Sequence, residues 1–302
     1  MGGNAFKGIK PIKREQINST LVYIVKTLNT EGFTFQYACE NLMGSAGKQD
    51  ESNDLDIAIN TKKAILVGQP DNHVFNLPSL AMRAECVLGK QCVKTDTISG
   101  GMINTCWPIE GNPHKGLVQV DFIAGNPEWL KFTHFNPGNN ISPWKGIMIS
   151  TMLGVLTKLN VDYLQEIDNI QLAKVGLYYH LERGIERRWF LYDSMKCATR
   201  QVDPDAFESA NPHHQRFSRL GVIDDPITAI RMIFKQDVPF DQINTFEKLI
   251  ATIARIFPEQ FEEIKDRFIE AYQRSGGRKL MSTDSLRTNE IWSKGRMEQQ
   301  KV

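Results

Sequence analysis

The spacing of apolar side chains predicts one helix and then a series of strands in the first half of the chain. From Ile17 to Leu28 apolar residues recur at helical spacing, which predicts an amphipathic helix that ends near Gly32 and covers a sheet. After this helix the period shortens, and a second helix is expected around residues 79–88. The segments with the short period predict strands at residues 33–43, 55–59, 91–98, 102–109 and 116–123.

The order of these elements indicates the fold class. The regular alternation of strand and helix that a doubly wound parallel sheet requires is missing. Gly111-Asn112-Pro113 stands between the last two predicted strands and marks a hairpin. We therefore predict an α+β first half, with a mixed or antiparallel sheet and flanking helices.

The second half of the chain is predicted to be mainly helical. Ser142-Pro143 supplies a helix N-cap and the residue favoured at the first helical position, and helical periodicity returns from Pro226 onward. Between them, residues 175–181 and 185–191 flank Arg183-Gly184 and fit either a hairpin or one interrupted helix. The predicted division is a first domain at residues 1–150, a mainly helical domain at 151–275 and a basic tail at 276–302.

The distribution of charge qualifies what the total charge excludes. With 36 Lys+Arg against 35 Asp+Glu, the net charge of +1 lacks the concentrated positive charge of a dedicated duplex-DNA or membrane-surface binder. Both ends are nevertheless basic, and residues 273–302 contain seven Lys and Arg against three acids. This tail also lacks apolar periodicity. We expect it to be mobile, either as a solvated segment or as one that contacts nucleic acid.

The cysteines and the hydropathy pattern indicate a cytoplasmic protein. An odd number of cysteines without Cys-x-x-Cys spacing argues against a disulfide framework and a closed zinc site. No apolar run reaches the length of a signal peptide or a membrane span, so no membrane partner is expected. The five cysteines are Cys39, Cys86, Cys92, Cys106 and Cys197.

Two aspartates within one predicted strand are the first candidates for chemistry. A period of two places Asp54 and Asp56 on one face of the strand, while Leu55, Ile57 and Ile59 face the core. Two adjacent carboxylates repel each other unless cations lie between them. Hard divalent ions such as Mg²⁺ favour this arrangement of oxygen ligands.

A glycine-serine pair and a third acid accompany these aspartates. Gly44-Ser45 allows backbone amides and a hydroxyl to approach an anion such as a phosphate. Asp121 is the single carboxylate of an apolar strand, a costly position unless the acid has a function. In an adjacent antiparallel strand, Asp121 would complete a three-acid cluster with Asp54 and Asp56.

This pattern resembles a known superfamily. An apolar strand that ends in Gly44-Ser45, an Asp54-Leu55-Asp56-Ile57 segment some ten residues later and a distant Asp121 resemble the nucleotidyltransferases typified by DNA polymerase beta, poly(A) polymerases and the tRNA CCA-adding enzymes. The resemblance covers roughly residues 15–160 and implies a polymerase beta-like mixed sheet with flanking helices. The Ser52-Asn53-Asp54 lead-in departs from the common Ser-Asp order of that superfamily.

The resemblance also implies a role for each residue of the pattern. Gly44 and Ser45 would hold the triphosphate of a nucleotide. Asp54 and Asp56 would bridge two Mg²⁺ ions, with Mn²⁺ as an alternative metal. Asp121 would ligate the catalytic ion and accept the proton of the attacking hydroxyl group.

Two lysines are candidate phosphate contacts. Lys48 lies in the loop after the glycine-serine pair, and Lys145 lies near the start of the helix capped by Ser142, whose N-terminus attracts anions. A solvated surface position is the alternative for each lysine. Trp144 could stack on a base or belong to the core.

The function implied by the resemblance is transfer of a nucleoside monophosphate from a nucleoside triphosphate to an acceptor hydroxyl, with release of pyrophosphate. The basic ends and the helical second half favour RNA as the acceptor, for example the 3′ end of a tRNA-like molecule. A protein hydroxyl and a toxin–antitoxin-type nucleotidyltransferase are the alternative enzymatic hypotheses. A catalytically silent nucleotide- or RNA-binding module is the alternative of another class.

Overall fold

The computed structural model describes most of the chain. The chain divides into two units, Met1–Gly146 and Ile147–Val302, and each is described by itself. Among the described residues, no helix is long and apolar enough to cross a membrane. The described residues are 5–60, 76–136, 146–159, 162–163, 173–193, 198–202, 222–274 and 283–299.

The first unit combines helices with a mixed sheet. Its helices are α1 (Ile17–Leu28), α2 (Phe35–Glu40), α3 (Leu77–Leu88) and α4 (Pro127–Thr133). Its strands are β1 (Ile12–Lys13), β2 (Leu42–Met43), β3 (Glu51–Ser52), β4 (Asp54–Ile59), β5 (Val93–Lys94), β6 (Met102–Pro108) and β7 (Leu117–Ala124).

The main sheet has five strands in the order β2-β4-β7-β6-β5. Strands β4 and β7 are parallel, and the other neighbours in this sheet are antiparallel. The α+β class with a mixed sheet is therefore confirmed, but the expected antiparallel placement of Asp121 beside Asp54 and Asp56 is wrong. The reason is the predicted β6–β7 hairpin. Strand β7 runs antiparallel to β6, lies between β4 and β6, and therefore has the same direction as β4.

One face of this sheet is covered by the hydrophobic core. The apolar stripe of α1, including Leu21, Ile24 and Leu28, is fully buried in one cluster with Trp107 of β6 and Phe122 of β7. Burial of each such side chain contributes about 1.5–3 kcal/mol. The predicted covering role of α1 is confirmed, and the core holds β4, β6 and β7 from this side.

The segment predicted as a strand at residues 33–43 is mainly helical instead. The side chain of Thr34 caps α2 by accepting a hydrogen bond from the Tyr37 backbone N–H at 3.1 Å. Phe33 packs against the rings of Tyr37 and Phe122, whereas Phe35, which a strand would place on the same face, is exposed. The alternating aromatic residues imitate strand periodicity, but the cap and tertiary packing favour one short helix. Only Leu42–Met43 pairs as a strand.

Other elements of the first unit also differ from the predictions. The strand expected at residues 91–98 is reduced to Val93–Lys94, because 3₁₀ turns at Lys90–Cys92 and Ile98–Gly100 flank it. Helix α4 was not predicted, although Asn126 caps it and Pro127 occupies its first position. The predicted Ser142-Pro143 helix start lies outside the described residues.

The second unit contains a four-stranded antiparallel sheet in addition to helices. The sheet order is β11-β10-β9-β8, and β9 and β10 form the hairpin alternative around Gly184, whose φ is +112°. The segment expected to be mainly helical after residue 150 therefore also contains a sheet, of which the sequence indicated only the hairpin, as one of two alternatives. The elements are α5 (Gly146–Leu159), β8 (Asp162–Tyr163), β9 (Ala173–His180), β10 (Gly184–Asp193) and β11 (Ala198–Val202).

Helices follow this sheet where helical periodicity returns from Pro226. They are α6 (Pro226–Phe234), α7 (Phe246–Ile256), α8 (Phe261–Arg274), α9 (Thr283–Arg287) and α10 (Ile291–Gln299).

The described part of the basic tail is packed rather than mobile. Trp292 is only 4% exposed, its ring packs against those of Phe246, Phe261 and Phe268, and its Nε1 donates to the Leu286 carbonyl oxygen at 2.8 Å. A few apolar residues are enough for this docking. They do not form the sustained apolar pattern on which the expectation of mobility depended.

Replacement of Trp292 tests this packing. We expect Trp292→Ala to lower the free energy of unfolding of the second unit by about 3–5 kcal/mol, because it empties an aromatic cluster and removes a buried hydrogen bond. Lys294→Ala on the same helix removes only an exposed ion pair with Glu290 and should change stability by less than about 0.5 kcal/mol. Guanidinium unfolding measures both variants. Equal stability of the two variants would show that the tail is not docked.

Candidate metal centre

Three aspartates meet on the sheet face opposite the core. Asp56 of β4 stands directly opposite Asp121 of β7 in the parallel register, and Asp54 lies two residues before Asp56. One ligand oxygen from each carboxylate lies within 4.8 Å of those from the other two. This spread is close to the roughly 4.2 Å between opposite ligands of one octahedral Mg²⁺ ion. The three acids could therefore hold a metal ion.

The strand pattern explains why the acids share one face. Leu55, Ile57 and Ile59 alternate with the acids of β4 and are fully buried in the core on the other side. Asp54 and Asp121 are themselves buried, at 9% and 7% exposure. The apolar positions anchor the strand, and the alternation then directs the carboxylates to the opposite face.

Burial and mutual repulsion shift the acidity of the cluster. Loss of solvation, together with the smaller effects of the nearby charges of Asp54 and Asp121, raises the pKa of Asp56 to about 8. Loss of solvation also raises the pKa of Asp121 to about 6, with a smaller upward effect from Asp54, although hydrogen bonds from Asn104 and Gln119 oppose the rise. A cation bound between the carboxylates would offset both the lost solvation and the repulsion between their charges.

Two amide side chains that the sequence pattern did not indicate as site residues hold Asp121. Asn104 of β6, opposite Asp121 in the sheet, donates from Nδ2 to Asp121 Oδ1 at 2.8 Å. Gln119 Nε2 donates to Oδ1 and to Oδ2, each at 2.9 Å. The position of Gln119 two residues before Asp121 was a usable signal, since a period of two places both on one face. The contact from Asn104 depends on strand pairing.

The glycine of the predicted phosphate loop lies directly against the cluster. Gly44 follows β2, whose last residue Met43 pairs with Asp56, and its φ is +66°. A Cβ atom at this position would lie 2.7 Å from Asp56 Oδ2. Glycine is therefore required both by the backbone conformation and by the close approach of the carboxylate. Ser45 is the next residue of the loop and is partly exposed.

Of the two lysines predicted to contact phosphate, the structure describes only Lys48. Lys48 lies in the same loop, where its backbone N–H donates to the Ser45 carbonyl oxygen at 3.0 Å. Its Nζ lies 4.9 Å from the centre of the Phe135 ring, and partial burial lowers the pKa of Lys48 below its ordinary value. Lys145 and the neighbouring Trp144 lie outside the described residues.

Comparisons with protein-family models, with curated proteins and with solved structures find no match to this chain. The interpretation of the site therefore depends on its own geometry and chemistry.

The raised pKa values predict how stability depends on pH in the absence of metal. A folded-state pKa above the unfolded value means that the folded protein binds the proton more tightly, so stability falls as pH rises from about 4 to about 8. We expect Asp56→Asn to reduce this fall and to be more stable than the wild type at pH 8, by on the order of a few kcal/mol. Chemical unfolding in EDTA across this pH range measures the effect.

Asp50→Asn is the matched control for this experiment, because Asp50 is an exposed acid of the preceding loop. Its stability profile should follow that of the wild type. Parallel pH profiles for the wild type and Asp56→Asn would contradict the raised pKa of Asp56.

Replacing each of two loop glycines by alanine distinguishes the effect of the close contact with Asp56 from the effect of backbone strain. Gly44 and Gly47 both have positive φ, of +66° and +74°, but among the described residues a Cβ at Gly47 would meet no heavy atom within 4 Å. Each change to Ala should cost about 1 kcal/mol of stability through backbone strain. Only Gly44→Ala should also weaken Mg²⁺ binding, about tenfold or more, because its methyl group displaces Asp56. Calorimetric titration with MgCl₂ tests this difference, and equal affinities would refute it.

Proposed function

We propose that this protein is a Mg²⁺-dependent nucleotidyltransferase with a polymerase beta-like catalytic unit. The observation that carries the proposal is the cluster of Asp54, Asp56 and Asp121 on neighbouring strands, with Gly44 against Asp56. Three clustered carboxylates beside a glycine-serine loop match the needs of triphosphate chemistry, which requires divalent cations and backbone donors at one place.

The residues of the site have separate tasks in this proposal. Asp54, Asp56 and Asp121 hold two Mg²⁺ ions, or Mn²⁺ ions, which supply charge neutralisation at the phosphates and activation of the acceptor hydroxyl. The Gly44-Ser45 segment binds the triphosphate through backbone amides and the serine hydroxyl. Lys48, one turn of chain further on, is a candidate contact to the same phosphates.

The proposed reaction exchanges a phosphoanhydride bond of the nucleoside triphosphate for a phosphate ester bond to the acceptor. The acceptor oxygen bonds to the α-phosphorus of the nucleoside triphosphate, and the bond from that phosphorus to the β-phosphate oxygen breaks. Pyrophosphate leaves with the electron pair, and the acceptor proton passes to a carboxylate, for which Asp121 is the candidate, and then to solvent. Catalysis of this kind depends mainly on alignment and electrostatic stabilisation.

We propose RNA as the acceptor class. Lys7, Lys10, Lys13 and Arg14 form an exposed basic segment before α1. Arg14 connects this segment to the phosphate loop, because its Nε donates to the Gly47 carbonyl oxygen at 2.8 Å. A basic segment beside a triphosphate site suits the phosphate backbone of a polynucleotide acceptor.

Transfer of an α-³²P-labelled nucleotide tests the proposed function. Each of the four nucleoside triphosphates is incubated with the full-length protein, Mg²⁺ and either total RNA or a protein extract. We expect label on RNA, loss of transfer in EDTA, and a decrease of at least a hundredfold in Asp54→Asn and Asp56→Asn, since each replaces a metal ligand with a weaker one. Asp50→Asn is the control and should retain activity.

The outcomes separate the parts of the proposal. Label on protein rather than RNA would replace the acceptor class and leave the chemistry in place. Unchanged transfer in both aspartate variants would refute the site. No transfer of any nucleotide to either acceptor would overturn the enzymatic function in favour of a binding module.

A further inference from the structure

The surroundings of Asp121 differ from those expected of a ligand that offers both its oxygens. The carboxylate is 7% exposed, and the two amides that contact it, those of Asn104 and Gln119, are buried at 6% and 3% exposure. Together they supply a 2.8 Å hydrogen bond to Oδ1 and two 2.9 Å hydrogen bonds, one to each oxygen. Buried amides placed against a buried acid on the face of the candidate metal centre require an explanation.

The number of acceptor positions on the Asp121 carboxylate explains the placement of these two amides. An ionised carboxylate has about four acceptor positions, two on each oxygen. Asn104 occupies one position of Asp121 Oδ1, and Gln119 Nε2, at 2.9 Å from both oxygens, is shared between the other position of Oδ1 and one position of Oδ2. Counting donors from the described residues, one position remains, on Oδ2. Asp121 is thereby restricted to one-oxygen coordination, and its side chain is held in one orientation before any ligand binds.

Both amides are themselves oriented by donors at their oxygen atoms. The backbone N–H of Ala5 donates to Gln119 Oε1 at 2.8 Å, which directs the Gln119 amide nitrogen toward Asp121. The hydroxyl of Thr97 lies 3.3 Å from Asn104 Oδ1 and shares its proton between this oxygen and the Met102 carbonyl oxygen at 2.8 Å. A rotated amide would lose these donors, so the N–H groups stay on Asp121.

We propose that Asn104 and Gln119 are positioning residues that present Asp121 Oδ2 as a one-oxygen metal ligand. The inference rests on the metal-binding part of the proposed function. The amides fix the orientation of the carboxylate, so that binding of a cation to Oδ2 requires no reorientation of the Asp121 side chain. Partners of this kind around a metal site typically change metal affinity 10- to 100-fold when they are removed.

Titration of the full-length protein with MnCl₂ alone, followed by calorimetry and by the electron paramagnetic resonance signal of free Mn²⁺, tests the proposal. We expect Gln119→Met, which removes two of the three hydrogen bonds at similar side-chain volume, to weaken binding at least tenfold at pH 7. Asn104→Leu removes the remaining hydrogen bond and should have a smaller effect in the same direction. The two variants are independent, so either one that folds is sufficient for the test.

Thr105→Val is the matched control for loss of a buried hydrogen bond. Thr105 lies next to Asn104 on β6, but its hydroxyl donates to the Val120 carbonyl oxygen and accepts from Trp107 Nε1 on the core side of the sheet. This variant should have a lower thermal midpoint than the wild type and an Mn²⁺ affinity within about twofold of it. A purely structural role for the amides would instead lower the midpoint without changing the affinity.

The possible results distinguish this inference from the proposed function. Wild-type binding that is lost in Asp56→Asn but unchanged in Gln119→Met and Asn104→Leu overturns the positioning role alone. The same conclusion follows if the amide variants bind Mn²⁺ more tightly than the wild type. Absence of binding to the wild type, or equal binding in Asp56→Asn, overturns the metal site and the positioning role together.

Discussion

The combined cost of burying three clustered carboxylates, through lost solvation and mutual repulsion, is the constraint around which the first unit is organised. Asp54, Asp56 and Asp121 lie on one sheet face, where burial and the nearby charges of Asp54 and Asp121 disfavour ionisation of Asp56. Such a cluster destabilises the strands that carry it. The same strands bury alternate apolar residues on the other face, where α1 and α3 cover them, and this burial offsets the cost. A smaller buried cluster of Met43, Ala58, Ile123 and Leu130 contributes on the face of the acids as well.

The mixed topology determines which groups reach the acids. The parallel pairing of β4 and β7 places Asp56 opposite Asp121, and the antiparallel pairing of β6 with β7 brings Asn104 to the same row. Antiparallel β2 ends beside Asp56, so that Gly44 begins the loop at the cluster. Segments far apart in sequence thus converge on a rigid sheet, which suits a site whose chemistry depends on alignment.

Under the proposed function, the acid cluster also changes the meaning of the near-zero net charge. The +1 total includes the three aspartates as uncompensated negative charges. Two bound divalent cations would add about four charges at the site where phosphates bind. The exposed basic segment that Arg14 connects to the loop adds local positive charge near this site. A neutral total is therefore compatible with a polynucleotide acceptor, whose binding should depend on the metal as well as on salt.

The sequence alone determined the features that depend on local periodicity: the buried stripe of α1, the β6–β7 hairpin, the shared face of Asp54 and Asp56, and Asp121 as a third acid in an apolar strand. Only the tertiary structure decided that β7 runs parallel to β4, that Asn104 donates to Asp121, that residues 35–40 form a helix, and that Trp292 docks the tail. Periodicity shows which way a side chain faces. Its partner depends on contacts between segments distant in sequence, which local patterns do not encode.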